Sequence, residues 1–136
     1  MSIEKVLVTG GFGFIGKALI KKLIKNGVEV IILEHPASKK PNDLNDIEVI
    51  SCDITNISAI NKLVIKNVDA LIHLAAQSSG PRSFYIPHQD INLNILGTLN
   101  VIDLCVKNSI KRILFASSFV VYGDKTNNNQ LPINEE

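Results

Sequence analysis

Two cysteines, Cys52 and Cys105, are all that this chain of 136 residues contains, and no CxxC spacing joins them. That scarcity argues against a zinc site and against a redox pair, so no metal is expected. Each cysteine lies in an apolar run and reads as a small buried hydrophobe in a reducing compartment. Charge of one sign is equally scarce. The formal net charge is +1, which leaves no field to gather nucleic acid or an anionic membrane surface. Lys21, Lys22 and Lys25 read as the solvated face of a helix rather than a binding patch. No apolar run approaches the length of a membrane span, and the opening MSIEKVLVTGG lacks the charged-then-apolar layout of a signal peptide. A cytoplasmic location is expected.

What is present is a core's worth of hydrophobic residues, 46% of the chain, in a length that suits one domain over residues 1–136. Lys5 to Thr9 is a short apolar run ending in glycines and reads as a strand buried on both faces. Ile15, Leu19, Leu23 and Ile24 have helical spacing from Phe14 to Asn26, where Asn26-Gly27 supplies the stop. Further strands are expected at Val28–Leu33, Ile47–Ser51, Asp69–Leu74 and Lys111–Ala116. The segment from His35 to Asp46 reads as a surface loop. A helix capped by Asn56 or Ser58 is expected to run to about Asn67, and a longer one from about His88 to Asn108. Lys125 to Gln130 reads as an exposed loop. Strands alternating with helices predict an α/β fold, a parallel sheet of about five strands covered on both faces, with right-handed crossovers.

Gly10, Gly13 and Gly16 form a GxxGxxG array between the first strand and the first helix. The first glycine permits a tight turn, the second removes a side chain where a dinucleotide pyrophosphate approaches the backbone, and the third lets the helix pack close to the sheet. The helix opening at Phe14 and Ile15 points its N-terminal amides and its positive dipole end at the phosphates. Turns use glycine for purely structural ends too, but the strand–glycine–helix context is what a dinucleotide fingerprint requires. Glu34 lies 18 residues beyond Gly16, at the tip of the second strand. A carboxylate there accepts hydrogen bonds from the adenosine ribose and repels the extra phosphate of NADP. Lys39 and Lys40 are near, but neither directly follows Glu34, so NAD is expected over NADP.

The stretch TGGFGFIG resembles the signature of the extended short-chain dehydrogenases/reductases, the family of NAD-dependent epimerases and dehydratases acting on sugar nucleotides. Four further stretches match that family in order. Cys52-Asp53-Ile54-Thr55 is similar to the acidic turn whose Asp bonds the adenine. His73-Leu74-Ala75-Ala76 matches the HLAA segment that passes beneath the cofactor. Asn94-Ile95-Leu96-Gly97-Thr98 matches the NxxGT helix whose Asn supports the active-site backbone. Ser117-Ser118-Phe119-Val120-Val121-Tyr122-Gly123 is similar to the SSxxVYG segment. The resemblance implies a Rossmann-type doubly wound fold, with Gly10, Gly13, Phe14, Ile15, Gly16, Glu34, Asp53, Ile54, Leu74, Ala75, Ala76, Asn94 and Ser117 as cofactor-binding residues. It implies that Ser118 is the catalytic serine, while Tyr122 marks the segment and lines the substrate side.

Several of these residues also have plain structural readings. Asp53 could be a turn or cap aspartate, and Ser117 and Ser118 could be strand-end turn serines. His73 is expected to be a packed, hydrogen-bonded structural histidine rather than a catalyst. Asn94 is a poor choice for a helix interior, because Asn competes for backbone hydrogen bonds.

The family's acid/base pair is a YxxxK motif, in which Lys lowers the Tyr pKa so that a phenolate takes a proton from a sugar hydroxyl. Neither Tyr85 nor Tyr122 has Lys four positions on; Gln89 and Thr126 stand there. By the resemblance the motif falls beyond the 18 residues that follow Ser118, and Leu131 to Glu136 is similar to the run just upstream of it. The chain is therefore expected to lack the catalytic helix, the last strands and the substrate domain, and to be inactive alone. The fifth strand is expected to be an uncovered edge that favours self-association, as in a homo-oligomer, or poor solubility.

The dehydratases of this family carry acidic residues before the VYG tyrosine. Phe119 and Val120 stand here, and an apolar pair supplies no general acid or base. The SSxxVYG form is more similar to 4-epimerases, which move hydride from sugar C4 to NAD and return it to the opposite face. A nucleotide sugar is the expected substrate, with Ser78, Ser79, Ser83 and Ser118 as candidate contacts, although a loop of small polar residues is the plain alternative for the first three. A 4,6-dehydratase, a keto-sugar reductase and a catalytically inactive dinucleotide-binding module are the alternatives.

Overall fold

A computed structural model describes residues 2–123. The stretches Lys125 to Gln130 and Leu131 to Glu136 lie outside the described residues.

Five strands form one parallel sheet: β1 (Lys5–Thr9), β2 (Glu29–Glu34), β3 (Glu48–Ser51), β4 (Ala70–His73) and β5 (Ile113–Phe115), in the order β3-β2-β1-β4-β5. The runs KVLVT and EVIILE are rich in branched apolar side chains, which pack well on both faces of a pleated sheet. Alternation along the strands divides the core in two. Leu7, Ile31, Leu33 and Leu71 point to one face and pack with Val101, Leu104 and Cys105. Val6, Val8, Val30, Ile32 and Ala70 point to the other and pack with Ile20. The sheet is thus doubly wound. The chain passes from β1 to β2 on one side and later returns to pair β4 on the other, so a crevice opens over the carboxyl ends of β1 and β4.

Helix α1 (Phe14–Lys25) ends at Asn26, after which Gly27 takes a positive φ of 77°. The helix expected from Asn56 to about Asn67 is much shorter. Only α2 (Ile57–Ile60) forms, capped by the Asn56 side chain, which accepts from the Ala59 amide at 3.0 Å. The reason is local and tertiary at once. The Lys62 and Leu63 amides bond back only three residues, Asn67 enters the left-handed region, and the Ile65 amide donates to Asn108 Oδ1 at 2.7 Å instead of to its own turn.

The sequence pattern overlooked a short helix, α3 (Gly80–Tyr85). The long helix begins at α4 (Pro87–Asp90), widens to a π-helical segment over Ile91–Gly97, and continues as α5 (Thr98–Lys107). On its outer face Ile91, Ile95, Leu99, Ile102 and Val106 are exposed at helical spacing. Strand β5 is exposed along all three of its residues. Both cysteines are free and buried. Among the described residues no helix is long and apolar enough to cross a membrane.

Candidate dinucleotide-binding site

The bend after β1 is built from glycine for steric reasons. Gly10 has φ of 70°, and a Cβ there would stand 2.7 Å from the Ala75 amide nitrogen. A Cβ on Gly16 would overlap the Gly10 carbonyl and stand 2.7 Å from the Gly11 carbonyl oxygen. Gly11, outside the expected triplet, is crowded too, but by side chains: its Cβ would meet Ile32 at 2.7 Å and Ile20 at 2.8 Å. Gly13 differs: its φ is an ordinary −69°, and the one atom a Cβ would approach is the Gly10 carbonyl oxygen at 3.2 Å. Gly13 caps α1 without a side chain, which leaves the first helical amides for an anion. The Phe14 and Ile15 side chains are 93% and 63% exposed, and their backbone amides open the helix.

Over the ends of β1, β2 and β3 lies a cavity of about 520 Å³, lined by Gly10, Gly13, Glu34, Asp53, Ile54 and the Leu74–Ala76 segment. Glu34 is fixed on two sides. Its Oε2 accepts from the Phe12 amide at 3.1 Å, and its Oε1 accepts from the Ser38 hydroxyl at 3.0 Å. Asp53 Oδ1 accepts from both the Thr55 amide and the Thr55 hydroxyl at 2.8 Å, the turn geometry anticipated as its plain reading. Its Oδ2 faces His35 Nε2 at 3.7 Å. Burial alone would push the Asp53 carboxyl up, but the Thr55 hydrogen bonds and the neighbouring His35 hold it below the usual carboxylate range.

A second cavity, of about 540 Å³, shares the Leu74–Ala76 wall and extends toward β5, where Asn94, Ser117 and Ser118 line it. Asn94 resolves the puzzle of its helical position. Its Oδ1 accepts from the Gln77 amide at 2.8 Å and its Nδ2 donates to the Gln77 carbonyl at 2.9 Å. Ser118 Oγ accepts from the Val120 amide at 3.4 Å, closing a turn over Phe119–Tyr122. Ser78 lines this cavity and, with Ser79, a third of about 550 Å³ beside Asp53. Ser83 belongs to a local knot, accepting from Gln77 Nε2 at 2.9 Å and donating to the Ser79 carbonyl at 3.1 Å.

His73 is 3% exposed. Its Nδ1 lies 2.6 Å from Thr9 Oγ1, its Nε2 lies 3.0 Å from Thr98 Oγ1, and its ring stacks on Phe115 with centroids 5.9 Å apart. Burial holds its pKa below the ordinary value. Among the described residues no cluster of His, Cys, Asp or Glu is placed to hold a metal ion.

Sequence reasoning missed His35, Ser38, Leu33, Cys52 and Leu93 on the first cavity wall. Leu33, His35 and Cys52 sit at or next to the carboxyl ends of β2 and β3, so the rule that ligands bind at that edge would have found them. Ser38 comes from an aperiodic loop and left no signal.

The residues fit a dinucleotide. A glycine-walled bend and a carboxylate frame one cavity, small alanines floor its junction with a second, and the two together suit a two-part ligand. Comparison with known proteins agrees. A family profile described as "NAD dependent epimerase/dehydratase family" matches residues 6–136. A candidate UDP-glucose 4-epimerase of Methanocaldococcus jannaschii is 39% identical over 132 residues, spanning 96% of this chain and 42% of that protein. A solved UDP-N-acetylglucosamine 4-epimerase of Methanobrevibacter ruminantium, in complex with UDP-N-acetylmuramic acid, is 33% identical with a TM-score of 0.77, covering 100% of this chain and 44% of its own. A Thermus thermophilus UDP-glucose 4-epimerase in complex with NAD is 29% identical with a TM-score of 0.74, covering 84% of this chain and 37% of its own. The chain therefore spans about two fifths of the length of these three relatives.

Proposed function

Because this chain belongs to the NAD dependent epimerase/dehydratase family, we propose that it is the NAD-holding part of a sugar-nucleotide 4-epimerase. The observation that carries the reading is the cavity that brings Gly10, Gly13, Glu34, Asp53 and Ala75 together at one sheet edge. NAD, when bound there, supplies a hydride acceptor. In this reading the amides opening α1 hold the diphosphate, with no side chain at Gly13 in the way. Glu34 accepts from the adenosine ribose and disfavours a phosphate on it. Asp53 and Ile54 border the adenine, and Leu74, Ala75 and Ala76 floor the cavity. Asn94 holds the Gln77 backbone at the nicotinamide end, where Ser117 lies on the wall.

Ser118 is the substrate-side hydroxyl and the catalytic residue of this chain. Ser78 and Ser79 line the approach for the nucleotide sugar, with Ser83 behind them. Proton transfer in this reading needs a Tyr–Lys pair, which neither Tyr85 nor Tyr122 provides. The exposed β5 strand and the apolar stripe from Ile91 to Val106 suit burial against further protein, including a second copy.

The test is a calorimetric titration of the chain with NAD and NADP. NAD is expected to bind and NADP to bind more weakly. Absence of dinucleotide binding, or a preference for NADP, overturns the reading. For the complete protein, Ser118→Ala is expected to lower kcat for C4 epimerisation of a UDP-sugar.

A further inference from the structure

His73 and its neighbours form a hydrogen-bond chain whose direction is fixed by counting protons. Thr9 and His73 are register partners on β1 and β4. Thr9 Oγ1 accepts from the Leu74 and Ala75 amides, each at 3.2 Å, and shares the Leu74 amide with the Thr9 carbonyl, which lies 3.1 Å from it. Those two bonds use the lone pairs of the hydroxyl oxygen, so its one proton must go to the remaining partner, His73 Nδ1 at 2.6 Å. Nδ1 is therefore bare. The ring's proton sits on Nε2 and is donated to Thr98 Oγ1 at 3.0 Å. The far end agrees independently: Thr98 Oγ1 spends its own proton on the Asn94 carbonyl at 2.7 Å, so it can only accept from the ring.

We propose that His73 is a positioning residue for the dinucleotide cavity: as the neutral Nε2–H tautomer it clamps Thr9 onto the Leu74–Ala75 backbone, and a second proton on the ring unfastens that clamp. A proton on Nδ1 would face a hydroxyl oxygen with no free lone pair. Thr9 would have to release the Ala75 amide, or its share of the Leu74 amide, which keeps its bond to the Thr9 carbonyl, and both residues line the two cavities. These two residues belong to the wall that the cavities share, on which the nucleotide would lie. Among the described residues, no other titratable group bonds or stacks on the ring. The groups that bond or stack on it are Thr9 from β1, Thr98 from the long helix and Phe115 from β5, and none of the residues lining the adjoining cavity other than His73 is titratable.

Burial already disfavours the imidazolium, so the neutral clamp holds above the ordinary histidine pKa of 6.5 and is lost only as the pH falls below it.

The effect on NAD rests on the function proposed above; the ring tautomer does not, and the experiment separates them. NMR of isotope-labelled imidazole nitrogens in the ligand-free chain at neutral pH is expected to show Nδ1 bare and Nε2 protonated. On acidification the Leu74 and Ala75 amide signals should move with the ring's own titration. They should stay still in His73→Asn, whose side-chain oxygen still accepts from Thr9 but cannot titrate. A protonated Nδ1 at neutral pH, or amides indifferent to the ring, overturns the proposal. With His35→Asn in both proteins, because His35 lines the same cavity, NAD affinity is expected to fall by up to about tenfold per pH unit once the ring protonates, and not in His73→Asn. Failure of NAD to bind at any pH would sink the proposed function while the ring and amide signals still decide the clamp.

Discussion

The Phe12 amide donates to Glu34 Oε2 across 3.1 Å, so the tip of β2 holds the glycine bend that follows β1. This bond makes Glu34 a member of the bend as well as a candidate partner for a ribose. The two jobs separate chemically, because an uncharged amide oxygen still accepts from Phe12.

Glu34→Gln is therefore expected to leave the fold intact and to erode the preference for NAD. Hydrogen bonds to a charged group contribute about 1.5–3 kcal/mol, so the ratio of NADP to NAD dissociation constants should fall by about tenfold or more. Calorimetry with both dinucleotides measures it. An unchanged ratio would remove Glu34 from the ribose site.

Two glycines of the bend should respond differently to a single methyl group. Gly10→Ala forces a side chain into the left-handed region and into the Ala75 amide at 2.7 Å, a strain of about 1–3 kcal/mol visible as a lower Tm. Gly13→Ala meets only the Gly10 carbonyl at 3.2 Å from an ordinary backbone conformation. It should lower Tm less than Gly10→Ala does yet weaken NAD binding by about tenfold, an overpacking cost of about 1–3 kcal/mol in the complex. Equal NAD affinity in Gly13→Ala and the parent chain would move the diphosphate elsewhere.

Asn94→Leu keeps the branched outline in a larger side chain and deletes both bonds to the Gln77 backbone. The expected loss is about 1–3 kcal/mol of stability, read by denaturant titration. The largest amide shifts should fall at Gln77, seventeen residues away in sequence but adjacent in space. Shifts confined to the helix around position 94 would contradict this.

The cysteines offer a check on the core. Burial pushes the Cys105 thiol up to about 11, and burial with the Asp53 charge pushes Cys52 up as well. The thiolate is the reactive form, so both should resist alkylation near neutral pH until the chain unfolds. Because the folded thiols bind their protons more tightly than the unfolded ones, stability should fall as the pH rises from 9 toward about 11. Rapid labelling of the folded chain at neutral pH would contradict the burial.

Period and punctuation made the sheet legible in advance. Strand β1 and helix α1 begin where the apolar pattern and the glycine array place them, and the other strands shift by one or two residues at their ends. The candidate residues Gly10, Gly13, Glu34, Asp53 and Ala75 do share one cavity wall. Helix α2 shows where local reading fails. Its continuation past Ile60 had acceptable composition, but Asn108 Oδ1, far along the chain, offers the Ile65 amide a better partner.

The amino-acid order by itself determined which segments alternate between strand and helix, and where glycine must stand, since those depend on side-chain period and on backbone angles that only one residue type adopts freely. The tertiary structure alone decided that Glu34 holds Phe12, that Asn94 reads the backbone of Gln77, and that His73 is wedged between Thr9 and Thr98. Such pairings arise only once β1, β4 and the long helix lie side by side, because a hydrogen bond acts over about 3 Å in space and leaves no period in the chain for a reader to find.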